Sequence, residues 1–528
     1  MLTRIAAVAA LAAASLTLFA DDPVSPWDKG QAELAKEPVF PIRYPTAFER
    51  ERETLGYKAR FMPGMLSFTP DNRPVMRVGL TAAQTPGENR QRARTRLGGE
   101  VNLIQYLGTD GKWHVSDGLP RAIRAYLKLA DGESLKILFG ERTPDAVEFD
   151  ARGGAYTLAT AEYAVEGKPQ QMWFLVYSPD EFKTFEVTAL KNVAAARLEP
   201  GRVNADHGKP PWILAQLRND DNRISLIKTA FRPSDGKLVI SKPVALTPAG
   251  GKPAPKVSTM AGDGASMIST PGKTFMVYAE LTPDKELPGT AQYIVEYDHA
   301  TGKVSAPVRL GSTGHKVDGH NLPVIDVDSK GYLHVIGGSH WHSFKHWVSK
   351  KPFSALDGWS DPEPVGAELD NLWSRNGLSY PGMLIDRDDT IHLVARGRNQ
   401  ELIERDKSDH HDPKFKVEDL NYALVYYRKP AGKPWDKRVD LVVPAWNHYS
   451  NWYHKVALDR KDRLYCTYYY YASWLKNSPE VTAAYCKLWP EDIAPDGTLP
   501  DANLSAHDPV LIRRADNKWT IVRTPDFK

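Results

Sequence analysis

The residues best suited to chemistry lie between Asp318 and Ser343, DGHNLPVIDVDSKGYLHVIGGSHWHS, where four of the chain's fifteen histidines fall within twenty-six residues. His320 stands just ahead of one apolar run (Val324, Ile325, Val327), and His340 just after a second (Tyr332, Leu333, Val335, Ile336). Between the runs, Asp328-Ser329-Lys330-Gly331 carries turn chemistry, so the segment predicts a β-hairpin. An antiparallel hairpin returns its end to the level of its start, which sets the two imidazoles side by side at one sheet edge. His334 falls mid-strand and reads as a structural histidine. Further on, SYPGMLIDRDDTIHLVARGR puts Tyr380 before one strand and Arg396 and Arg398 at the end of the next. WNHYSNWYHK then sets His448, Tyr449, Trp452 and His454 ahead of another hairpin. Ten of the fifteen histidines lie from His320 to His454.

One cavity could hold imidazole, phenol and guanidinium groups together, and His and Tyr are suited to act as base and acid near neutral pH. Each residue has a plainer reading: a histidine at a strand end usually only hydrogen-bonds its loop, a Tyr before Pro packs, and an Arg closing a strand pairs with a carboxylate. Recurrence at matching positions sets these apart, with a His pair bracketing one hairpin and a Tyr and Arg bracketing the next. The catalytic candidates are His320, Tyr380, His340 and Arg396, and the substrate-binding candidates are Asn321, His342, Arg398, Tyr449, Trp452 and His454.

What positions them is a repeated unit, an apolar strand, a polar turn with Asp or Gly, and a second apolar strand. It recurs over 61–79, 146–163, 211–231, 264–280, 322–338, 380–397 and 454–471. Most copies are followed by a second strand pair, as in WFLVYS then TFEVTAL and in QYIVEY then PVRLG. Seven units of four strands predict an all-β, seven-bladed β-propeller of four-stranded antiparallel blades, the first of them open to completion by a strand from the other terminus. Loops of several blades then converge at one end of a central channel. SPDEFKTF, SALDGWSD and KPAGKPWD resemble the Asp-box of sialidase-like propellers and are structural turns.

The DGHN stretch, the GSHWH after it and SYPGMLIDRDDTIHLVARGR resemble the BNR-repeat propellers that include the ulvan lyases, mainly over residues 318–470. The resemblance implies an enzyme cleaving a uronate-containing polysaccharide by β-elimination. By motif, His320 and His340 match that family's two active-site histidines, Tyr380 its catalytic tyrosine and Arg396 its carboxylate-binding arginine. Gly319, where an acidic residue often precedes the His-Asn pair, and the additional His342 depart from the pattern. Two other classes stay open. One is a rhamnosidase- or sialidase-like glycoside hydrolase, for which Asp318 supplies one carboxylate and no second acid is evident. The other is a non-catalytic glycan-binding propeller using Trp341, Trp347, Trp373 and Trp452 as stacking platforms.

Residues 1–20, with Arg4 ahead of an apolar run from Ile5 to Phe19, read as a signal peptide, so export to the periplasm or beyond is expected. Residues 21–55 read as an N-terminal extension and 56–528 as the propeller. No later apolar run approaches the roughly 18 residues of a membrane span. With 68 basic against 65 acidic residues the net charge is +3, which gives no field favouring nucleic acid. The expected partner is an acidic polysaccharide or oligosaccharide, met by a monomer. No cofactor is expected; a structural metal ion held by His392, Cys466 and nearby histidines matches no compact zinc motif. Cys466 and Cys486 are equally compatible with a disulfide and with two free thiols.

Overall fold

The hairpin turns close as their residues require. The Asp150 carboxylate accepts the backbone N–H groups of Arg152 and Gly154 (both 2.9 Å), and Asp328 those of Lys330 (3.0 Å) and Tyr332 (2.8 Å). Asp386 and Asp459 do the same for Asp388 and Thr390 and for Lys461 and Arg463. Three residues after each of these aspartates the backbone has positive φ, 84° at Gly153, 86° at Gly331, 58° at Asp389 and 57° at Asp462. Asp thus supplies the acceptor that organises the turn, and Gly or Asp tolerates its left-handed residue.

The computed structural model describes residues 60–81, 98–99, 102–130, 132–138, 146–205, 209–218, 220, 223–248, 265–281, 288–340, 342–367, 377–398, 422–442, 451–471, 506–515 and 518–523. These form an all-β propeller with four-stranded antiparallel blades. The innermost strands are Arg60–Phe68, Val193–Leu198, Met267–Thr270, Pro323–Val327, Leu378–Ile385 and Asn451–Leu458. Both faces of a blade are covered, and alternate residues serve opposite neighbours. In the Pro323–Val327 blade, Val324, Ile336 and Phe344 pack on Leu378, Met383 and Leu393 of the next blade. Ile325, Val327 and Val335 pack on Ile268, Phe275 and Val277 of the preceding one.

Six four-stranded blades are present among the described residues, not the seven expected. The hairpin at 146–163 enters a six-stranded sheet instead, because Ala155–Val165 and Lys168–Ser178 are eleven residues each. Ala155–Val165 outruns its expected partner: Glu148–Phe149 pairs only with its first two residues, and Leu135–Leu138 takes the same edge beyond them. The hairpin at 211–231 forms, but as the second and third strands of its blade; the innermost is Val193–Leu198. A short helix, Gly118–Leu127, buries Leu119 and Ile123.

The last blade holds Asn451–Leu458, Leu464–Tyr471, Ala506–Ala515 and Lys518–Arg523, so among the described residues no strand from the other end completes the first or last sheet. Arg60–Phe68 instead packs beside the last blade. At this seam the Asn72 side-chain oxygen accepts the Arg460 N–H at 2.6 Å, and Asn72 has φ 67°. Asn tolerates this backbone better than residues without a short polar side chain. Asn72→Ala is therefore expected to lower stability by about 1 to 2 kcal/mol, from the lost hydrogen bond and the left-handed backbone. A shift of the urea midpoint measures it, and an unchanged midpoint would show that the seam does not depend on this contact.

Residues 199–205 cross the channel at the end where the hairpin turns lie. The Gly201 N–H donates to Glu148 (2.8 Å), Arg202 lies 3.8 Å from Asp326, and the Asn204 amide donates to the Val327 carbonyl (3.2 Å). Beside them a small cavity of about 50 Å³ is lined by Phe68, Glu148, Arg202, Ile385 and Arg460. Burial pushes the Glu148 carboxyl up to about 7, against the Gly201 hydrogen bond and the nearby Arg202 and Arg460 charges.

Candidate functional site

The site lies at the opposite end, where innermost strands begin. Pro323 pairs with Gly337, so the hairpin brings His320 and His340 together as expected, with ring centroids 4.4 Å apart. The neighbouring strand Leu378–Ile385 contributes Tyr380, whose ring centroid is 5.7 Å from that of His320. Its pairing with Ile391–Arg398 shifts register between Ser379 and Gly382, and Tyr380 takes φ 60° within that bulge. The first and last blades have register shifts at Pro63/Leu66 and Trp452/Lys455 of their innermost strands. A bulge re-aims a side chain that regular alternation would place otherwise, and a non-glycine residue in this backbone region is strained by roughly 1 to 3 kcal/mol.

Arg396 stands opposite Ser379 in the pairing, 4.5 Å above the Tyr380 ring, and its Nε donates to the Ser379 hydroxyl at 3.3 Å. The four catalytic candidates are thus brought into one cluster. Tyr380 and Arg396 are only 5% and 2% exposed, whereas the His320 and His340 side chains keep 33% and 18%. The buried guanidinium does not present the open fork expected of a two-point carboxylate contact. Burial lowers the pKa of both His340 and His454, and the Arg396 charge adds to that lowering.

A residue weighed above only as a hydrolytic acid turns out to hold the histidines. Asp318 Oδ1 accepts His320 Nδ1–H at 2.5 Å, and Oδ2 accepts His340 Nδ1–H at 2.8 Å. Partial burial works to raise the Asp318 carboxyl, but the two imidazole hydrogen bonds outweigh it and hold the group well below the usual carboxylate range. His340 is lowered by burial, with Asp318 opposing that shift and His320 and Arg396 adding to it. The signal was present in the DGHN motif, an acid two residues before a histidine.

The substrate-binding candidates divide. Asn321 is 1% exposed, and its amide donates to Thr290 and Thr313 of the preceding blade and to Lys316 of the loop that carries Asp318. His454 is also 1% exposed, and its Nε2–H donates to the Val394 carbonyl at 3.1 Å. Both are buried beneath the site, with the Asn321 amide nitrogen and His454 Nε2 donating to neighbouring protein oxygens. His342 lies near the site with its ring against His315, centroids 4.0 Å apart. Arg398 and Trp452 lie in strands whose side chains at these positions are not described, and Tyr449, Trp341 and Trp373 lie outside the described residues. Trp347 is 1% exposed, so it belongs to the core and offers no stacking platform.

The expected metal ligand His392 has both ring nitrogens engaged, with Tyr426 (2.8 Å) and Asp386 (2.9 Å). Cys466 is a buried free thiol, and Cys486 lies outside the described residues. Among the described residues the set with metal-ligand spacing is Asp318, His320 and His340. Their contacts of 2.5 and 2.8 Å are hydrogen-bond distances.

His334 is structural, as its mid-strand place suggested; its Nδ1 is 3.0 Å from His346 Nε2. Burial pushes His346 down to about 4, against the nearby Glu363, and His454 is likewise pushed down to about 4 by burial. Unfolded, both titrate near 6.5, so below that pH the unfolded chain binds more protons. Their contribution to stability is full above pH about 6.5 and is lost as pH falls toward 4. Urea midpoints across this range should decline with acidification and decline less steeply in His346→Gln; a pH-independent midpoint in the parent would rule this out.

An all-β propeller with histidines, a tyrosine and an arginine gathered at one end of its channel is the class that fold and site define. Residues 284–519 match the model of a family described as BNR repeat-containing family member. An ulvan lyase of Pseudoalteromonas sp. (strain PLSV) is 30% identical over 133 residues, covering 20% of this chain and 26% of that protein. An ulvan lyase of Alteromonas sp. (strain LOR) is 28% identical over 122 residues, covering 19% and 23%. The chain thus matches about a quarter of the length of these relatives. A solved polysaccharide lyase, also an ulvan lyase, aligns at 19% identity over 49% of this chain and 53% of its own, with a TM-score of 0.31. Residues 284–519 thus resemble BNR repeat-containing proteins, and a shorter stretch resembles the ulvan lyases.

Proposed function

We infer that this propeller is an exported polysaccharide lyase that cleaves a uronate-containing, ulvan-like polysaccharide by β-elimination. The observation that carries this reading is the convergence of His320, His340, Tyr380 and Arg396, from two adjacent blades, into one cluster. In the proposed reaction His320 Nε2 takes the C5 proton of the uronate. The C5 electron pair forms the C4–C5 double bond as the C4–O4 bond breaks, and the Tyr380 hydroxyl gives its proton to the departing oxygen. The buried Arg396 charge favours the negative charge that develops in this step. Proton return from His320 to Tyr380 restores both groups. The likeness to ulvan lyases supports the substrate class.

Hydrolysis is disfavoured by the state of Asp318. A carboxyl with both oxygens occupied by imidazole N–H groups, and ionised far below neutral pH, is not a general acid. The test is incubation of the full chain with a panel of acidic polysaccharides. Ultraviolet absorbance of an unsaturated uronate end is expected; new reducing ends without that absorbance would establish hydrolysis, and binding without turnover a glycan-binding propeller.

A further inference from the structure

We propose that Asp318 is the positioning residue of this site, a single carboxylate that fixes two imidazoles in the Nδ1–H tautomer and turns both Nε2 atoms to the substrate side. It rests on the elimination reading for its role in turnover, but the tautomer assignment stands independently of that reading.

Each Asp318 oxygen receives one ring, Oδ1 from His320 (2.5 Å) and Oδ2 from His340 (2.8 Å). An ionised carboxylate only accepts, so both Nδ1 atoms carry protons, and in the neutral form of each ring Nε2 then holds the lone pair. The carboxylate is itself anchored. The Asp318 N–H donates to Thr290 Oγ1 of the preceding blade (3.0 Å), the His320 N–H donates back to Oδ1 (2.9 Å), and the Asn321 N–H donates to the Asp318 carbonyl (3.1 Å). Asn321, buried beneath, ties the same loop to Thr290 and Thr313. Among the described residues, the titratable or charged groups shown facing the two rings are Asp318 itself, Tyr380 and, from the adjoining strand, Arg396. With the rings 4.4 Å apart, a shared carboxylate also keeps two imidazoles from repelling one another when one of them takes a proton.

Asp318→Asn separates this role from simple structural support. An amide has one acceptor and one donor end, so it can receive only one Nδ1–H and must donate to the other ring. That ring then becomes the Nε2–H tautomer and loses its outward lone pair. The expected kinetic result is a kcat lower by about a hundred- to ten-thousand-fold with KM little changed. Loss of the negative charge also moves the histidine-dependent limbs of the pH profile to lower pH, since the anion favours the protonated imidazoles.

The deciding measurement is nitrogen NMR of histidine-labelled full-length protein. In the parent, the His320 and His340 signals are expected to report Nδ1–H on both rings, and in Asp318→Asn on one ring. Nε2–H on either ring of the parent overturns the proposal, whether or not the variant folds. So does a signal that changes on dialysis against a chelator, which would make the three residues metal ligands. An Asp318→Asn protein with unchanged kcat and unchanged tautomers also overturns it. If the tautomers are as expected but no polysaccharide yields an unsaturated end, the elimination reading fails and the positioning assignment survives.

Discussion

Tyr380→Phe is expected to abolish nearly all elimination, lowering kcat by about a hundred- to ten-thousand-fold, the range that a positioned proton donor supplies. The change removes one hydroxyl and leaves the ring, so the packing of the 5%-exposed side chain and the Arg396 contact at 4.5 Å persist. Folding is therefore expected to be unaltered by circular dichroism and thermal unfolding, and KM to move little. Turnover on the substrate found in the panel, with parent and variant at equal concentration, measures the effect. Undiminished turnover would remove Tyr380 from the mechanism.

The largest loss of stability is expected at Asp326, which is 1% exposed and joins three parts of the fold. Oδ1 accepts the Val327 N–H (2.8 Å), Oδ2 accepts the Ile385 N–H of the next blade (2.9 Å), and Arg202 of the channel-crossing segment lies 3.8 Å away. Asp326→Ala strips a carboxylate from the surroundings of a guanidinium that is itself only 3% exposed. Breaking a buried ion pair by removing one partner weakens folding by roughly 3 to 5 kcal/mol. Asp326→Asn, which keeps an acceptor for Ile385 and loses the charge, should fall between alanine and the parent. Urea unfolding with an unchanged m value checks the order, and an alanine variant within about 1 kcal/mol of the parent would show that the junction is held by other contacts.

Local signals explain what the sequence made legible. The Asp turns, the apolar alternation and the hairpin geometry are set by residues within a few positions of one another, so the pairing of His320 with His340 could be read directly. The tetrapeptide PGML recurs at Pro63 and Pro381, and both segments contain the bulge of an innermost strand. Choices made over long distances were not legible. Ala155–Val165 reads as half of a hairpin, yet its length lets it recruit Leu135–Leu138, which no local pattern announces. Val193–Leu198 is alanine-rich and weakly apolar, so it was overlooked although it is an innermost strand. The burial of Arg396, His454 and Asn321 depends on neighbouring blades, and spacing alone made them appear to face a ligand. Asp318 was visible as an acid, but its partnership with both rings appears only once the hairpin is closed.

The segment from 199 to 205 gives the ring a floor. Tied to Glu148 on one side and to Val327 on another, it leaves a cup where an open pipe would otherwise run. On the proposed reading, a long glycan would approach the histidines across the open rim, away from the segment that spans the other end.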